Sequence, residues 1–169
     1  MHSLLAHEVA FGGFLLLTTL RLAVAAGPFD LRTLVFAGML AAEAACILPS
    51  LRRDSRPAWA LRLAYFPVAA NVAYFALGPA MAALQPAKAD AFLMRIDEVL
   101  VGGSLSLRLE PLAGPAFTEI MTFCYALFLP YLYLSLIHHA RRDLETAKKL
   151  FAGVFTIYGI GFLGYTLLF

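Results

Sequence analysis

The sequence predicts an all-α integral membrane protein, a bundle of about five transmembrane helices with a short amphipathic helix on the outer face. Three observations carry that expectation. Hydrophobic residues make up 62% of the 169-residue chain and charged residues only 14%, where a soluble domain carries about a quarter. The charges fall in short runs between long apolar stretches. Each apolar stretch approaches the roughly 20 residues that a helix needs to cross a hydrocarbon core about 30 Å thick, and helices are the expected state because an open sheet cannot satisfy its backbone in lipid.

The first span is expected near residues 9–26 and is broken only by Arg21. Its end, "AVAAG", offers small residues of the kind a signal peptidase needs, but "MHSLLAHE" holds no Lys or Arg and Arg21 interrupts the approach, so the segment reads as a retained span. The second, near 33–50, carries Glu43 in the middle of "LAAEAAC", and the third, near 60–84, contains Pro67, Asn71 and the pair Gly78-Pro79. Trp59, at the start of the third span, suits the headgroup level. The connection at 88–112 puts Phe92, Leu93, Ile96, Val99 and Leu100 on one helical face, which predicts an amphipathic helix on the membrane or the bundle, ended by Gly102 and Gly103. The period-two stretch "SLSLRLEP" reads as an interfacial turn or short helix, since a lone strand would leave its edges unpaired. A fourth span is expected near 116–138, with Glu119 at its mouth, and a fifth near 148–169, uncharged from Leu150 onward and marked by Gly153, Gly159, Gly161 and Gly164. Small residues of this kind allow close helix approach in lipid.

Orientation follows from the basic residues. Arg52, Arg53, Arg56 and Arg62 cluster after the second span and Arg141, Arg142, Lys148 and Lys149 after the fourth, so the positive-inside rule places both connections in the cytoplasm. The expectation is a multi-pass protein of a bacterial inner membrane, amino terminus cytoplasmic and carboxyl terminus outside. A net charge of +2 gives no ground for nucleic-acid binding. Cys46 and Cys124 have no His, Cys or acid at ligand spacing, and His138 and His139 point about 100° apart on one helix, so no metal or other cofactor is expected. A charge at membrane depth costs at least about 2.5 to 3.5 kcal/mol. Glu43, with Arg62 and Asn71 as candidate partners, therefore forms a candidate intramembrane polar seam, either facing a substrate path or partner, or fixing helix packing.

The stretch "IDEVLVGGSLSLRLEPLAGPAFTEIMTFCYALFLPYLYLSL", followed by a basic turn and a last span rich in Gly and Tyr, resembles the region before the active site in the type-2 phosphatidic acid phosphatase superfamily, in the branch of the inositol phosphorylceramide synthases. The positions that carry the resemblance are Asp97, then Gly102 and Gly103, then Pro115, Thr118, Glu119 and Tyr125. The resemblance implies lipid-linked phosphates, handled at the outer face, as the substrate class, and Asp97, Glu119 and Tyr125 as outer-face family positions. The family's phosphate-handling motifs do not accompany them. No Ser-Gly-His segment is present, and the one Arg-Pro pair, Arg56-Pro57, belongs to the cytoplasmic turn. Cleavage through a His nucleophile needs a second His as acid and cationic donors for the developing charge. The expected function is therefore a non-catalytic membrane scaffold or subunit resembling the front half of a lipid phosphatase or phosphotransferase, in contact with membrane lipids, with another membrane protein or a catalytic segment packing on the last span. An accessory or assembly subunit of an unrelated membrane complex is the alternative.

Overall fold

The structure is a computed structural model that describes residues 4–53, 55–84, 90–103, 107, 109–112 and 114–168. His2, Lys88, Phe169 and residues 104–106 and 108 of "SLSLRLEP" lie outside them. The described residues form α1 (Ala6–Ala25), α2 (Leu31–Arg52), α3 (Arg56–Leu84), α4 (Asp90–Val101), α5 (Pro115–Arg142) and α6 (Leu144–Leu168), with a 3-10 turn at Glu110–Leu112 and no strand. All but α4 are long and apolar enough to cross a membrane. All five begin before the expected span limits, and α2 and α5 also run past their expected ends. Hydropathy measures the thickness of the hydrocarbon layer, whereas polar end residues such as Glu8, Arg56 and Arg141 stay helical beyond it.

The chain divides into two compact units, residues 1–86 with 138–169 and residues 87–137. The first is a four-helix arrangement in which α1 packs against α2, α3 and α6. Side-chain contacts fix its directions: Glu8 meets Arg62 and Phe11 meets Phe66, so α1 and α3 run parallel, while Lys148 over Trp59 and Phe155 against Phe66 align α6 with them. Arg62 meeting Ser50 and Tyr65 meeting Met39 set α2 antiparallel. The core is aromatic. Phe11, Phe14, Phe36, Phe66 and Phe155 are buried, and Phe11 packs edge-on against Phe14, Phe66 and Phe162 with ring centroids 5.6, 5.8 and 6.2 Å away. Such pairs add about 0.5 to 1.5 kcal/mol each beyond their buried area.

Turn chemistry explains the hairpin between α1 and α2. Gly27 takes φ +104°, a left-handed conformation that closes α1 after Ala26. Asp30 then caps α2, its carboxylate accepting from the Arg32 amide at 2.9 Å and from the Arg32 side chain, while the Thr33 hydroxyl donates to the Gly27 carbonyl at 2.9 Å. These hydrogen bonds from Arg32 hold the Asp30 carboxyl well below the usual carboxylate range, at about 2. Asp143 caps α6 in the same way, accepting from the amides of Glu145 and Thr146 at 3.1 Å each.

Of the four glycines in the last span, one is at a close contact. A Cβ on Gly159 would lie 2.9 Å from backbone atoms of Ala10 and Phe11, so α1 and α6 touch backbone to backbone there. A Cβ on Gly153, Gly161 or Gly164 would meet nothing within 4 Å. In the second unit, α4 ends where expected, with Gly102 and Gly103 at φ +70° and +139° and the Gly102 amide donating to Glu98.

Two outcomes follow. Gly159→Ala forces α1 and α6 apart and lowers stability by roughly 1 to 3 kcal/mol, whereas Gly161→Ala is neutral or stabilising by up to about 1 kcal/mol through helix propensity; thermal melts in detergent distinguish them. The Asp30 carboxyl has a depressed folded value, so its contribution to the α1–α2 turn is present at neutral pH and lost as pH falls from about 4 to about 2. An NMR titration of the Arg32 amide shows a midpoint near 2, and Asp30→Asn removes the transition.

Candidate functional site

A membrane helix cannot leave a guanidinium alone, and the first unit places one fully inside. Arg62 is 0% exposed, six residues into α3 from Arg56. Its Nε and Nη2 donate to the two carboxylate oxygens of Glu8, a bidentate pair with both side chains buried, and its Nη1 donates to the Ser50 hydroxyl at 2.9 Å. The Ser50 hydroxyl in turn donates to the Ile47 carbonyl at 2.8 Å. Glu8 also accepts from the Leu5 amide at 2.7 Å, closing the first turn of α1. Trp59, the only tryptophan in the chain, has the Arg62 guanidinium 4.4 Å and the Lys148 ammonium 3.8 Å from its ring centroid. Fork-to-fork geometry and cation–π contact both suit Arg over Lys. The network therefore joins α1, α2 and α3 directly and reaches α6 through Trp59.

Glu43 lies one turn deeper. It is buried at 3% exposure, and its carboxyl sits over Gly12, where an added Cβ would come within 3.4 Å of both oxygens. Its Oε2 has no hydrogen-bond partner among the described residues. Both residues line a cavity of about 340 Å³ between α1 and α2, together with Leu4, Glu8, Leu40, Ala44, Ile47, Leu48 and Leu51. The Tyr65 hydroxyl on α3 is engaged elsewhere, donating to the Met39 carbonyl at 2.7 Å. His7, next to Glu8 on α1, is fully buried with its ring edge-on to Phe66 at 4.3 Å, and neither ring nitrogen has a hydrogen-bond partner among the described residues.

Of the candidate seam, Arg62 and Glu43 thus lie in one region, joined by Glu8 and not by direct contact. Asn71 stands apart on the exposed side of α3, its Nδ2 donating to the Pro67 carbonyl at 2.8 Å, which satisfies a carbonyl of its own helix. Nine residues separate Arg62 from Asn71, roughly half a turn out of phase at about 100° per residue. Glu8, Ser50 and His7 are the members that hydropathy does not single out, since Glu8 and His7 precede the first apolar run. The signal available for Glu8 was its level: an acid at the start of the first span lies at the same membrane level as Arg62 near the start of the third.

The positions expected at the outer face belong to the second unit, Asp97 on α4 and Glu119 and Tyr125 on α5, whereas the described histidines His7, His138 and His139 belong to the first. His138 and His139 form an edge-on pair, ring centroids 5.4 Å apart and planes at 88°. No group of three or more His, Cys, Asp or Glu that could hold a metal ion occurs among the described residues. Comparison with family models, with curated proteins and with solved structures returns no match.

The network generates one outcome. Arg62→Lys keeps the charge and loses the fork, and Ser50→Ala leaves Nη1 without that acceptor; each lowers stability by roughly 1 to 3 kcal/mol. Melts monitored by Trp59 fluorescence check both, with a shifted native emission expected for Arg62→Lys alone, because only that change alters the cation over the indole.

Proposed function

We propose that the protein is a non-catalytic membrane scaffold, the anchoring counterpart of a lipid phosphatase or phosphotransferase that acts on lipid-linked phosphates. In this reading it resides in a bacterial inner membrane with its amino terminus in the cytoplasm. The resemblance over residues 96–169 supplies the substrate class.

The observation that carries the scaffold reading is the two-sidedness of α6. Phe151, Phe155, Gly159, Phe162 and Thr166 are buried and fall on one face, which packs in the four-helix unit. Gly153, Gly161 and Gly164 fall within roughly 80° of one another on the opposite side, where an added Cβ meets nothing within 4 Å. Glycine costs about 1 kcal/mol relative to Ala in a helix interior, and a face of three is suited to close approach by another membrane helix. The polar chemistry agrees: Glu8, Arg62 and Ser50 satisfy one another and tie helices together, an arrangement that holds structure and leaves no activated nucleophile.

Purified protein in nanodiscs containing a lipid phosphomonoester releases phosphate no faster than empty nanodiscs; robust turnover overturns the non-catalytic reading. Extraction from the native membrane recovers the chain with a lipid-phosphate-processing activity. Recovery with an unrelated membrane complex contradicts the phosphatase counterpart and favours an accessory subunit.

A further inference from the structure

Arg62 is matched inside the bundle, and a second guanidinium of the same unit is not. Arg21 sits on α1, four residues and about 6 Å of helix before Ala25, at the end of the unit away from the Glu8–Arg62 pair. Its Nη1 is enclosed without a hydrogen-bond partner, and Arg21 forms no ion pair among the described residues. The described carboxylates of the unit are committed elsewhere. Asp30, in the following turn, is held by Arg32, Glu8 by Arg62 and Glu145 by Lys148. Asp143 caps the start of α6, and Glu43 lies over Gly12, nine residues and about 13 Å back along α1. Beside Arg21 is a cavity of about 340 Å³ between the ends of α1 and α3, and Arg21 is the one charged residue among those lining it, with Leu20, Val24, Ala25 and Leu84. Leu20 and Val24 fall one turn apart on the same face of α1 and are 56% and 89% exposed.

We infer that this cavity holds the phosphate of one anionic phospholipid, paired with Arg21, while the lipid's chains lie along Leu20 and Val24. Charge sets the class. A guanidinium stays ionised in a protein, and leaving it unmatched within a span is costly, so one negative charge is wanted. A phosphodiester carries one, and its oxygens accept the fork of an Arg side by side. A zwitterionic headgroup brings its own cation to compete for that phosphate, which favours a lipid of net charge −1. Level agrees with charge. The 20 residues of α1 span about 30 Å, the thickness of the hydrocarbon layer, and a long cationic side chain one turn from the helix end reaches the headgroups. The walls decide between a lipid and a free anion: aliphatic side chains return nothing to a hydrated ion for its lost water, whereas they cover the glycerol and upper chains of a lipid. The volume lies at the low end of small-molecule sites, roughly 300 to 1,000 Å³, which suits one headgroup with its chains outside. The assignment is independent of the scaffold reading.

The test is native mass spectrometry of the full chain in a non-ionic detergent after adding phosphatidylglycerol and phosphatidylcholine in equal amounts. Retention of phosphatidylglycerol at least tenfold above phosphatidylcholine is expected. Arg21→Gln loses one bound phosphatidylglycerol per chain, and Arg21→Lys, which keeps the charge without the fork, retains part of it. Ala25→Trp fills the cavity with Arg21 still in place and loses the same lipid. Arg142→Gln, at an exposed basic position beyond α1 and α3, keeps it. Melting curves confirm that the variants fold, and if Arg21→Gln does not, the Ala25→Trp result decides. Equal retention of the two lipids, undiminished phosphatidylglycerol on folded Arg21→Gln or Ala25→Trp, or an equal loss from Arg142→Gln overturns the proposal. Displacement of the lipid by inorganic phosphate also overturns it, because the site is then one for a free anion.

Discussion

A guanidinium inside a membrane protein has to be matched, and the packed unit of this protein is arranged around that requirement. Arg62 is completely buried on α3. Glu8 answers it from the first turn of α1 and Ser50 from the last turn of α2. Lipid offers no hydrophobic drive between apolar helices, so association rests on packing and on polar contacts between helices. A bidentate pair with a fixed fork supplies direction that Leu and Phe surfaces lack. Because the pair lies near one end of three helices, it also fixes their register, and the aromatic cluster from Phe11 to Phe162 continues the same alignment deeper into the layer.

The same constraint accounts for what stays open. Once Glu8 is committed to Arg62, Glu43 is left one turn further in, over Gly12, with its Oε2 facing no donor among the described residues. Packing produces a comparable division on α6. Gly159 is pressed against the backbone of α1, and the remaining glycines occupy the far side. One helix thus uses the same residue type for an internal contact and for a surface without a neighbour among the described residues.

Much of the architecture was legible in the sequence because lipid imposes a one-dimensional rule: uncharged length marks a span. The ends of α1 and α2 were less legible, since Asp30 and Gly27 act through turn geometry that hydropathy ignores. The polar region was read in part. Glu43 and Arg62 announced themselves as charges within or beside apolar runs, whereas Glu8 sits before the first run and finds its partner 54 residues away. Asn71 looked equally polar, but it lies on the opposite side of α3 from Arg62 and serves the carbonyl of Pro67. Which polar residues meet is decided by helix phase and by neighbouring helices. Among the glycines of the last span, composition likewise gave no means to separate Gly159 from the other three.

The most direct test of this account is a double-mutant cycle on Glu8→Gln and Arg62→Gln, read as unfolding free energy in a mild detergent. Removing either partner strands a buried charge and should cost roughly 3 to 5 kcal/mol. The double variant strands none and should cost little more than either single change, giving a coupling of several kcal/mol. Additive single effects, each below about 1 kcal/mol, would mean that the pair does not hold the helices together.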